Sequence, residues 1–128
     1  QMCIRDSYTR PLDEVPKATW HRNTGSIAIA LCCCYNARPD DLGEYPPTEA
    51  QIETLAKMFA VIAEVFDNPI DREHFMTHGE AANDDGYGLY SGDPDCRWDL
   101  EQLCDQDEIG TGGDILRGKA QWYLENGV

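Results

Sequence analysis

The run Ser26 to Cys34, Ser-Ile-Ala-Ile-Ala-Leu-Cys-Cys-Cys, constrains the fold more than any other stretch of the chain. On an extended backbone successive side chains point to opposite faces. Ile27, Ile29, Leu31 and Cys33 then share one face, and Ala28, Ala30, Cys32 and Cys34 share the other. Both faces are apolar, which is the pattern of a strand buried on both sides. A sheet with helices on each face follows, so the expected class is α/β. The face made of small residues leaves room for something packed closely against it.

The strongest helical segment comes next. Thr48 and Gln51 have capping-box spacing, and Ile52, Leu55, Ala56, Phe59, Ile62, Ala63 and Phe66 follow helical periodicity. Asp67-Asn68-Pro69 stops the helix. His74 to His78 reads as a short strand that delivers His78 to its C-terminal edge. Asn83 to Asp95 is a Gly/Asp loop, and Arg97 to Cys104 fits one or two helical turns. Gly112 and Gly113 break the chain, after which Leu116, Ala120, Tyr123 and Leu124 mark a final helix ended by Gly127. Tyr8 to Lys17 and Asn36 to Pro47 are Pro-broken loops. Gln1 to Ser7 resemble an adapter-derived peptide and are read as foreign to the fold, which leaves residues 8–128 as one domain or a piece of one.

Composition narrows the partners. The net charge of −14 repels nucleic acid and anionic membranes. No apolar run approaches the roughly 20 residues of a membrane span. Six cysteines suggest a disulfide set, but three are consecutive and neighbours on a strand point apart. They read mainly as small, reduced core residues.

Chemistry-bearing residues are few: His21, His74 and His78, with Asp99 following His78 in the sequence. Zinc takes nitrogen, sulfur or oxygen donors in tetrahedral array, and residues far apart in sequence can supply them. Cys96 rivals Asp99 as a donor, since thiolate and carboxylate both suit zinc. Taken alone, His78 is an ordinary loop histidine, Arg97 a surface salt-bridge partner of Asp93 or Asp95, and Tyr87 and Tyr90 loop anchors.

Read in order, Trp20-His21, Asn23, Ser26 to Leu31, Pro47-Thr48-x-x-Gln51, Thr77-His78-x-Glu80 and Arg97-Trp98-Asp99 resemble the type 2 N-acetylmuramoyl-L-alanine amidase family. That family includes phage lysozyme-type amidases and peptidoglycan recognition proteins. The resemblance implies a mixed central sheet flanked by helices, with a Zn2+ site at one edge. It implies that His78 is a zinc ligand ending a strand and Asp99 a further ligand. Arg97 then stands where the family has a cation facing the substrate carbonyl, and His21 lies beside the substrate groove. Tyr87 is a candidate for the same groove. Glu80 reads as a helix-start carboxylate or one that supports a ligand.

The implied activity is zinc-dependent hydrolysis of the amide between N-acetylmuramic acid and L-alanine, acting on the bacterial cell wall with peptidoglycan as partner. Two departures qualify it. No residue matches the family's first zinc histidine, and Ala30 stands where some members carry a catalytic Glu. The domain is therefore expected to be incomplete at its N-terminus and nearly inactive as it stands. The alternatives are a non-catalytic peptidoglycan-binding module of the same fold and a small acidic interaction domain.

Overall fold

Thr48 starts the first helix as its spacing predicts. Its hydroxyl accepts from the Gln51 amide at 3.2 Å, and its own amide donates to the Gln51 side chain at 2.9 Å. This reciprocal cap satisfies donors that a helix start leaves open. In the computed structural model, which describes residues 11, 14, 19, 22–38, 41–86 and 98–128, helix α1 runs Glu49–Phe66. Asp67 ends it in the left-handed conformation, with φ of 53°. Helix α2 spans His78–Asp85 and helix α3 spans Gly112–Asn126. The chain divides between Cys32 and Cys33 into two compact units, and all three helices belong to the second.

The expected α/β class is overturned: the described residues form three helices and no sheet. Their sole β pairing is an isolated bridge between Arg38 and Asp41. Ser26 to Cys34 forms no strand, Ile27 is 41% exposed and Ala30 is exposed as well. The physical reason is that apolar alternation supplies side chains for a strand but not a hydrogen-bonding neighbour, and strands gain stability by pairing. The run also crosses the boundary between the two units. The cysteines follow suit. Cys32 is exposed, and Cys33, Cys34 and Cys104 are only half-buried, so these four do not form a core.

The second unit is held by helix packing. Helix α1 packs on α3, burying Leu55, Ala56, Ala60 and Ala63 on one side and Leu116 and Ala120 on the other. Small residues dominate this seam and let the backbones approach. The outer apolar residues Val61, Val65 and Phe66 stay exposed. Phe75 is buried, and its ring centroid lies 5.0 Å from that of Phe59, which ties the turn before α2 to α1. Leu42 and Leu103 are also buried, and the Leu42 amide donates to Asp105 at 3.2 Å.

Helix α3 begins where the glycine pair predicted a break. A Cβ on Gly112 would lie 2.2 Å from the Leu100 carbonyl oxygen, and one on Gly113 would lie 2.3 Å from the Glu80 carboxylate. The glycines permit close approach at the helix start instead of interrupting the chain. The far end is as predicted: Gly127, with φ of 93°, closes α3 through a bond from its amide to the Tyr123 carbonyl.

Candidate functional site

Thr77, His78, Gly79 and Glu80 repeat the device that starts α1. The Glu80 amide donates to the Thr77 hydroxyl at 3.1 Å, and the Thr77 amide donates to the Glu80 carboxylate at 3.0 Å. His78 is therefore the first residue of a helix, not the last of a strand as expected. The expected strand loses to the cap because Thr-x-x-Glu satisfies two backbone donors locally, without a neighbouring strand.

Across from this helix start lies the segment 98–101, which forms turns where helical turns were expected. The Gly79 amide donates to the Asp99 carbonyl at 2.9 Å. Gly79 has no side chain because the Glu101 chain lies there: a Cβ would come within 2.4 Å of its Cγ. Glu101 in turn accepts from the Asn83 side chain at 2.7 Å. These contacts bring the His78 Nδ1 atom to 3.1 Å from Asp99 Oδ1. The pair is accessible, with side-chain exposures of 29% and 54%.

Two of the residues singled out in the sequence are thus brought together. His21, Tyr87 and Arg97, with the rival donor Cys96, lie outside the described residues. His74 is held within its own turn, its Nδ1 2.7 Å from Asp71 Oδ1. That contact holds the Asp71 carboxyl below the usual range.

Two donors of one tetrahedral zinc, each roughly 2.0–2.2 Å from the metal, lie roughly 3.3–3.5 Å apart. The His78–Asp99 separation is that of a direct hydrogen bond and slightly shorter than such an edge, so the two side chains would have to part a little to share a metal. Among the described residues no group of three or more His, Cys, Asp or Glu side chains is arranged to hold a metal. Cys34 is not poised as a thiolate. Burial pushes its thiol up, Cys33 offsets this in part, and Asp99 and Asp105 add to the rise.

The most buried ion pair among the described residues was not foreseen. Arg117 of α3 forks onto Glu80 with bonds of 2.8 and 2.6 Å, and both side chains are only 9% exposed. Arg117 also donates to the Phe75 carbonyl at 2.8 Å and to Asp114 at 2.7 Å. Burial pushes the Glu80 carboxyl up, but Arg117 and the Thr77 amide pull harder, so it sits below the ordinary range. The signal in the sequence was Thr-x-x-Glu, which marks Glu80 as a capping group. Nothing local marks Arg117 as its partner 37 residues on.

Comparison with protein families, with characterised proteins and with solved structures finds no match to this chain.

Proposed function

We propose that the chain serves zinc-dependent hydrolysis of the muramyl–L-alanine amide of peptidoglycan, with His78 and Asp99 as two of the metal's donors. The observation that carries this reading is their 3.1 Å approach across 21 residues of sequence. It rests on that pair and on the ordered residues of the family resemblance, and not on the sheet, which is absent from the described residues. Zinc, when bound, supplies a water acidified to a pKa of about 7 and a polarised carbonyl.

The chain's own residues supply position. The cap at Thr77 fixes the backbone of His78 at the start of α2, and the bond from the Gly79 amide fixes Asp99 opposite. Arg97, two residues before Asp99, stands where the resemblance puts a cation facing the carbonyl. It stays protonated, so its part is electrostatic. A catalytic zinc takes three protein donors with one position open. The described residues offer two, which favours a second reading, a module that binds the same polymer without cutting it.

Zinc content, sedimentation with purified cell wall and stem-peptide release separate the readings. The proposal expects weak zinc uptake that Asp99→Ala and His78→Ala each abolish, with any trace of stem-peptide release lost in parallel. Cys96→Ser changes little. Wall binding that persists in both variants without release establishes the binding module. A chain that takes up no zinc and sediments with no wall overturns both readings.

A further inference from the structure

A second cluster, built wholly from α1 and α3, is untouched by the zinc reading. Glu53 of α1 pairs with Lys119 of α3, and the Tyr123 hydroxyl donates to its other oxygen at 2.5 Å. Lys57 lies 5.3 Å over the centre of the Tyr123 ring. One face of Tyr123 is thus covered by a cation and its hydroxyl is engaged. Beside it Trp122 is 57% exposed, held edge-on to Tyr123 with centroids 5.1 Å apart and planes at 85°. Glu53, Lys119, Trp122 and Tyr123 line an open cleft of about 230 Å³.

The arrangement does more than join two helices. Glu53, Lys119 and Tyr123 make the polar link between the helices, and Trp122 leaves more than half of its surface open beside it. What remains available in the cleft is specific. A protonated Lys119 has three donors, one of which goes to Glu53. Each Glu53 oxygen accepts one bond and keeps capacity for another. A ligand here meets the exposed Trp122 ring beside donors and acceptors held by the two helices.

Three ligand classes fit poorly. Polyanions are repelled by a chain of net charge −14. A wholly apolar ligand would strip water from the ion pair and replace none of its bonds. A ligand that must be enclosed needs a pocket of about 300 Å³ or more, whereas this cleft is smaller and open and receives one ring of a longer molecule. A pyranose ring meets each requirement: one face of C–H groups for the indole, and hydroxyls that donate and accept around the rim. We infer that the α1–α3 face is a saccharide-binding site, with Trp122 as the platform and Glu53 and Lys119 as the hydrogen-bonding edge.

The test titrates the intact chain, with chelator present, with a tetramer of N-acetylglucosamine by calorimetry and tryptophan fluorescence. No metal takes part, so failure here is distinct from failure of the zinc site. Saturable binding is expected below about 10 mM, weakened about tenfold or more by Trp122→Ala and largely kept by Trp122→Phe. Lys119→Met should weaken it as well. Helical circular dichroism confirms folding, which the exposed Trp122 position leaves undisturbed. No saturation by about 10 mM, or equal binding by Trp122→Ala and the parent chain, overturns the inference.

Discussion

Two Glu–cation pairs tie α3 to its neighbours, and they sit in opposite surroundings. Glu80–Arg117 is buried, doubly hydrogen-bonded and enclosed by a helix cap, a carbonyl and a glycine. Glu53–Lys119 is half-exposed, with side-chain exposures of 27% and 39%, and shares its carboxylate with a tyrosine. The same chemical pairing does different work in the two places. In the buried pair each partner is needed because the other has left water, so loss of one strands a charge. In the exposed pair water replaces a lost partner, and its net contribution is small. The difference separates what specifies the fold from what remains available to a ligand.

Arg117→Met should give the largest effect, a loss of about 3–5 kcal/mol from an uncompensated buried carboxylate. Urea unfolding followed by helical circular dichroism measures it. A loss below about 1 kcal/mol would mean that Glu80 reaches water, and the contrast between the pairs would collapse. Gly113→Ala should follow, at about 1–3 kcal/mol, because its new methyl meets the Glu80 carboxylate. Gly118→Ala on the same helix, where a Cβ meets nothing, is the control and should be neutral or stabilising.

Acid sharpens the comparison further. The folded Glu80 carboxyl is held below its ordinary value, so its stabilisation is full at neutral pH and is lost as pH falls through the folded value. The parent chain should therefore lose stability in the acid range below about pH 4. In Glu80→Gln that part of the loss should vanish, on a lower plateau, and an unchanged acid limb would assign it to other carboxylates. The smallest effect belongs to Glu53→Gln, about 1 kcal/mol or less and shrinking with added salt.

The legible part of the fold was the part written in local chemistry. The caps of α1 and the stop at Asp67, like the glycine that ends α3, depend on neighbours within a few residues. Thr77 to Glu80 carried the same signal as Thr48 to Gln51, but an assumed sheet turned it into a strand end. Ser26 to Cys34 misled for a related reason: its alternation describes side chains, whereas a strand is made by a partner. At the candidate site, His78 and Asp99 were both named and do meet, although on a helix start and a turn. Arg117 could not be read as Glu80's partner, because a cation within a helix gives no sign of which distant carboxylate it faces.

The glycines at the start of α3 carry one more consequence. Glu80 is the third residue of α2, and its carboxylate lies against Gly113, the second residue of α3. Two helix N-termini thus converge on one carboxylate. Aligned peptide dipoles give each such end about half a positive charge, and this is where proteins often seat phosphate or sulfate. Here the seat is filled from within the chain. In a protein so rich in acids, one carboxylate only 9% exposed lies at both helix starts while it also answers the Arg117 guanidinium.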